Sequence, residues 1–141
     1  MAGYVIDASV LVEVFVAGPT HQACMRFLEH AATSGFDLCA PDAIYYEVAG
    51  ALRRHDLRSG YVNIGDDIGN LIDLDLVTTS AKELLVPAVE IARQYTIGIY
   101  DAFYLALSQR LAVPMVTVDK RLVKAVFGKP FQVIFAGDFV A

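Results

Sequence analysis

The segment Tyr4-Val5-Ile6-Asp7-Ala8-Ser9-Val10-Leu11-Val12 decides the fold of this chain. A short β-rich run meets one carboxylate and passes at once into an apolar stretch with helical character. An acid at such a junction is either a helix cap or the first ligand of an acidic site, and recurrence separates the two. The construction does recur. "VPMVTVDKRL" (Val113 to Leu122) repeats strand, acid and helix, and "IYDAFYLALS" (Ile99 to Ser108) sets another acid at the opening of a helix.

Outward from Asp7, β-rich runs alternate with longer helical ones. "YVI" reads as a strand, "ASVLVEVF" as a helix, and "THQACMRFLEHAAT" as a second helix with Thr20 as its candidate cap. "DLCA" is a strand closed by Pro41. From Asp42 to Ser59 the residues Ile44, Val48, Ala51 and Leu52 keep helical period, and Gly60 ends the run. A shorter helix is predicted from about Val62 to Ile72, a strand at "DLVTT", and a helix at "AKELLVPAVEIARQYT" that Pro87 kinks or restarts. "YDAFYLALSQRL" is apolar nearly all round, as a buried helix should be. "MVTV", "KRLVKAVF" and "FQVIF" complete the pattern as strand, short helix and strand. Such alternation predicts an α/β fold with a mainly parallel sheet covered on both faces.

At 141 residues the chain fits one domain, residues 1–141, without a linker, repeat or low-complexity segment. A hydrophobic share of 56% with 19% charged residues excludes disorder and leaves apolar surface for a partner. The N-terminal run lacks the positive region of a signal peptide, and Asp101 interrupts an apolar segment too short to span a bilayer, so no membrane role is expected. Cys24 and Cys39 form no CxxC pair and read as buried free thiols of a cytoplasmic protein, with a disulfide as the alternative. His21, His30 and His55 show no zinc-ligand spacing.

Beyond the carboxyl ends of a parallel sheet lies the region where functional groups gather, at the point where strand order reverses. Asp7 follows the first strand, Asp119 follows the fourth, and Asp101 opens the buried helix. Glu47 sits one turn inside its own helix and borders that helix's apolar stripe. Taken singly, each Asp reads equally as an N-cap and Glu47 as a surface residue pairing with Arg54. Together they converge on one edge. Two carboxylates about 5 Å apart repel by roughly 3 kcal/mol at an effective dielectric near 20, so a cluster of four requires cations or protons. Oxygen ligands without His or Cys favour Mg²⁺ or Mn²⁺, and such a site activates water against a phosphodiester.

The net charge of −5 argues against a broad basic nucleic-acid face, but the cations are unevenly placed. Arg53, Arg54 and Arg58 form one cluster near Glu47; Lys120, Arg121 and Lys124 form another beside Asp119. Arg53, Arg54, Lys120 and Arg121 are therefore candidates to grip phosphates, or else parts of solvated helix faces. Between Tyr61 and Ala81 there is no Lys or Arg, whereas Asp66, Asp67, Asp73 and Asp75 fall there.

These motifs resemble the PIN-domain ribonucleases, and among them the small VapC-type toxins. "YVIDASVLV" is similar to that family's opening strand and acid, "YYEVAGALRR" to its helix glutamate, "IYDAFYLALS" to its third acid and "VPMVTVDKRL" to its strand, threonine and fourth acid. The resemblance runs nearly the whole chain. It implies a three-layer α/β/α sandwich in which Asp7, Glu47, Asp101 and Asp119 hold Mg²⁺ or Mn²⁺, with Ser9 and Thr117 as supporting hydroxyls. It further implies endonucleolytic cleavage of RNA, a homodimer, and a cognate antitoxin covering the active groove. The acidic stretch from Tyr61 to Ala81 is then a candidate contact for a basic antitoxin segment.

Three other readings compete. A phosphorylatable receiver-type module needs adjacent acids after strand one and an Asp after strand three, where this chain has "IDAS" and "VTTSAKE". A phosphatase with an Asp nucleophile wants a second Asp where Ser9 stands. A catalytically silent module for RNA binding or dimerisation keeps the fold without the reaction. Selectivity for RNA over DNA rests on 2′-hydroxyl contacts that are not legible at this level.

Overall fold

The computed structural model describes residues 2–60 and 63–139. Strand β1 (Gly3–Ile6) leads into helices α1 (Ala8–Val16) and α2 (His21–Thr33), then β2 (Asp37–Pro41), α3 (Ile44–Ser59) and α4 (Ile64–Asp73). Strand β3 (Val77–Thr79) precedes α5 (Ala81–Tyr95) and α6 (Ile99–Leu111). The chain closes with β4 (Met115–Thr117), α7 (Lys120–Val126), β5 (Val133–Phe135) and a 3₁₀ turn at Ala136–Asp138.

The five strands pair in parallel in the order β3-β2-β1-β4-β5. Moving from β1 to β2 to β3 the chain travels one way across the sheet, and from β3 to β4 to β5 it travels back. Right-handed crossovers then oblige the two sets of connections to lie on opposite faces, which makes the α/β/α sandwich. Packing follows: α1 lies against α2 and α3, α5 against α6, and α6 spans β1, β2 and β4. The centre is fully enclosed by Val5, Ile6, Cys39, Met115 and Val116 from the strands and by Leu105 and Leu107 from α6. Each such aliphatic side chain contributes about 1.5–3 kcal/mol by leaving water.

Strand order reverses between β1 and β4, so the crevice beyond their carboxyl ends is the topological switch point. A receiver-type sheet runs 2-1-3-4-5 and sets β3 beside β1. Here β4 takes that place and β3 is an edge strand, which removes the receiver reading.

Local expectations shift by a residue or two in places, for physical reasons. The helix predicted from Asp42 starts at Ile44, because Asp42 serves another element: its Oδ1 accepts the Ala81 amide at the start of α5, 3.0 Å away. Gly60 ends α3 in the left-handed region at φ 64°. Helix α5 runs unbroken through Pro87. Thr20 occupies the N-cap position of α2, but its hydroxyl makes no cap bond, and its amide donates to Glu13 Oε2. Tyr61 and Val62, which open the acidic interval and the predicted fourth helix, lie outside the described residues, and the helix is described from Ile64. Both cysteines are buried and free.

Candidate active site

Parallel pairing of Ile6 with Val116 brings Asp7 level with Thr117, and the Asp7 amide donates to the Val116 carbonyl at 2.9 Å. Asp7 stands at the N-cap position of α1 with only 6% of its surface exposed, yet its side chain makes no cap bond. Its Oδ2 instead accepts two hydroxyls, Ser9 Oγ at 2.7 Å and Thr117 Oγ1 at 2.7 Å. Those hydroxyls in turn accept backbone amides, Ser9 from Val118 at 3.2 Å and Thr117 from Asp119 at 3.1 Å. Each hydroxyl has one proton and has given it to Asp7, so the 3.4 Å approach of Ser9 Oγ to Thr117 Oγ1 is a contact between acceptors. Ser9 and Thr117 thus staple the ends of β1 and β4 around one carboxylate. Burial pushes the Asp7 carboxyl up; the Thr117 and Ser9 bonds oppose this and the Asp119 charge adds to it.

Asp119 has a structural duty as well. It caps α7, its Oδ1 accepting the amides of Arg121 at 3.0 Å and Leu122 at 3.3 Å. Asp101 lies in the first turn of α6, one turn in from the Gly98 cap, and is partly buried. Burial, followed by the charges of Asp7 and Asp119, pushes its carboxyl up to about 6, with Arg121 opposing. Glu47, in the first turn of α3, is also raised, by burial first; Tyr104 opposes, and the charges of Asp7 and Asp101 add.

Tyr104 is the residue that sequence reading missed. It lies one turn beyond Asp101 on α6, is almost wholly buried, and donates its hydroxyl to Glu47 Oε1 at 3.0 Å. Burial, then the charges of Glu47 and Asp7, raise the phenol, so it is a fixed donor. The signal was present in the i, i+3 spacing of Asp101 and Tyr104, which sets both on one helix face.

Asp7, Glu47, Asp101 and Asp119 all line one cleft of about 800 Å³, with Ser9, Glu13, Tyr46, Tyr100 and Arg54 among its other walls. Thr117 lies behind Asp7, fully buried. The cation candidates separate. Arg54 lines the cleft, and Arg121 lines a smaller pocket of about 240 Å³ that shares Asp101 and Asp119 as walls. Arg53 pairs with Asp56 at 2.7 Å, and Lys120 sits 5.3 Å from the centre of the Phe135 ring; neither lines the cleft.

The donor set suits a hard divalent cation, being oxygen-only and negatively charged with no Cys or His in the cleft. Among the described residues no three His, Cys, Asp or Glu side chains stand as a ready-made ligand set around one point. Instead, hydrogen bonds hold one oxygen each of Asp7, Glu47 and Asp119. Fewer than three protein ligands around one point would leave a bound ion with several of its waters, as Mg²⁺ prefers.

The PIN domain family model matches residues 4–128. Ribonuclease VapC12 of Mycobacterium tuberculosis is 30% identical over 86% of this chain and 90% of its own length. Ribonuclease VapC3 of Pyrobaculum aerophilum is 27% identical over 84% of this chain and 90% of its own. Among solved structures, a toxin–antitoxin complex from Klebsiella pneumoniae superposes with a TM-score of 0.64 at 17% identity, covering 95% of this chain and 98% of that one. A crystal structure of a Pyrobaculum aerophilum protein gives 0.62 at 20% identity, with 91% and 89% covered. At those identities the two structures bear on the fold alone.

Proposed function

We propose that this chain, which belongs to the PIN domain family and within it to the VapC-type ribonucleases, is the endoribonuclease toxin of a toxin–antitoxin pair, with Asp7, Glu47, Asp101 and Asp119 holding Mg²⁺ or Mn²⁺. The observation that carries the site assignment is the gathering of four acids from β1, α3, α6 and the β4–α7 turn into one cleft at the switch point. When bound, a divalent ion held by these four acids would supply Lewis-acid activation of water and charge neutralisation at the phosphate. The protein does the rest by position. Ser9 and Thr117 hold Asp7 by one oxygen and Tyr104 holds Glu47 by one, which orients these two carboxylates before an ion would bind. Arg54, in the same cleft, and Arg121, in the neighbouring pocket that shares Asp101 and Asp119, would contact phosphates flanking the scissile one. Purified protein incubated with total RNA should cut it in Mg²⁺ or Mn²⁺ and leave it intact in EDTA, with cut ends mapping to internal positions. Cleavage that persists in EDTA would defeat the assignment.

The partners follow from the same reading. Acidic Asp66 and Asp67, in the first turn of α4, favour a basic antitoxin segment. Reversing both charges should weaken antitoxin binding at low salt, and unchanged affinity rejects the contact. A homodimer is supported by the exposed apolar side chains Leu85, Val86 and Val89 on α5. A cytoplasmic setting is supported by two buried free thiols, and no described helix is long and apolar enough to cross a membrane.

A further inference from the structure

We propose that Tyr46 and Tyr100 form a nucleobase-stacking lip on the acidic cleft, so that unpaired bases flanking the scissile phosphate lie on the two rings. The inference rests on the endoribonuclease reading above and adds how the substrate is gripped. Tyr46 is 82% exposed and Tyr100 70% exposed, yet both line the cleft. Each immediately precedes an acid, Glu47 on α3 and Asp101 on α6, so each ring stands on a wall of the cleft next to a carboxylate. Most other rings among the described residues are buried or half-buried, as Tyr104 and Phe27 are, and Phe127, at 85% exposed, stands away from the cleft. Two left in water at the mouth of one cleft invite flat apolar ligands.

Helix α3 adds a second observation. Tyr46, Gly50 and Arg54 recur at i, i+4 and i+8, and all three line the cleft. Gly50 has no side chain to fill the space between them; a Cβ there would already lie 3.5 Å from Arg54 Nη1. The Arg54 guanidinium reaches back to the level of Gly50, about 6 Å from Tyr46 along the helix axis at 1.5 Å per residue. That exceeds a base step of about 3.4 Å, so the ring and the guanidinium address different nucleotides.

Charge gives the reason for such a device. A protein of net charge −5 has little long-range attraction for a phosphate backbone. Stacking on an aromatic face works for any base and is not screened by salt, and unpaired RNA offers the splayed bases it needs. The lip therefore supplies the sequence-tolerant part of binding, while the cations position phosphates.

The test uses the full chain carrying Asp101→Asn, which should remove cleavage, in Mg²⁺ with a short single-stranded oligonucleotide containing 2-aminopurine. Anisotropy reads affinity and base-fluorescence quenching reads stacking. Tyr46→Leu and Tyr100→Leu should each weaken binding about 10-fold and lose quenching, whereas Tyr46→Phe and Tyr100→Phe keep both. Both side chains are exposed, so the variants should melt with the parent. Leu variants that bind and quench like the parent overturn the lip and leave the rings to a protein partner. Equal losses in the Leu and Phe variants also overturn it, because the hydroxyl and not the ring would matter. If the unsubstituted chain cuts no RNA and the Asp101→Asn chain binds none, the endoribonuclease reading itself has failed.

Discussion

Tyr104 on α6 donates its hydroxyl to Glu47 Oε1 on α3 across 3.0 Å, joining the helix that bears Asp101 to the helix that bears Glu47. The bond leaves the other Glu47 oxygen for the cleft. Tyr104→Phe deletes only the donor and should reduce stability by about 1 kcal/mol. The larger effect should be on the metal: loss of a partner that orients a ligand weakens binding or activity by about 10-fold or more. Calorimetric titration with Mn²⁺ checks this, and an unchanged isotherm removes Tyr104 from the site.

Asp101→Asn should abolish cleavage and raise metal-free stability at neutral pH. The folded-state pKa of Asp101 is lifted from 3.8 to about 6, by burial first and then by Asp7 and Asp119. An acid raised on folding gives its full relative stability below about pH 4, and that stability is lost as pH climbs through about 6. At pH 7 the amide therefore gains on the order of 1 kcal/mol, limited by solvent screening in the open cleft. At pH 4 the parent is already largely protonated there and the gain should vanish. Melting both proteins at the two pH values decides it; a gain that is equal at both would show that repulsion is not the cause.

Added Mg²⁺ or Mn²⁺ should stabilise the parent through the folded state it binds. At a hundred times the dissociation constant the gain is about 2.7 kcal/mol. Below about pH 6 protons compete for Asp101, and Asp7 and Glu47 are raised as well, so the metal-induced rise in melting temperature should shrink. A rise that grows on acidification would contradict a carboxylate site.

Arg54 lines the cleft, whereas its neighbour Arg53 is held by Asp56. Arg54→Ala should weaken RNA binding across sequences and lower the slope of log affinity against log salt by about 1. Arg53→Ala should leave both nearly unchanged. Anisotropy titrations over a salt series measure the two slopes, and a larger loss at Arg53 would place the RNA path on another face.

The alternation of elements and the four acids are legible in the sequence, because both are local: period and turn residues mark each strand and helix, and an acid at a strand end is visible in a short window. It also marked Ser9 and Thr117, whose contact with Asp7 follows from one being two residues away and the other lying level with it on the neighbouring strand. The sequence did not reveal which strand lies beside β1, since pairing partners are set by long-range crossovers. Only that choice puts Asp7 against Thr117 and Asp119. Only the packed helices show that Tyr104 reaches Glu47, 57 positions away, that Asp42 accepts the first amide of α5, and that Arg54 lines the cleft while Arg53 does not. These depend on the rotation of one helix against another, and helix packing fixes that rotation by fitting side chains the local pattern does not pair.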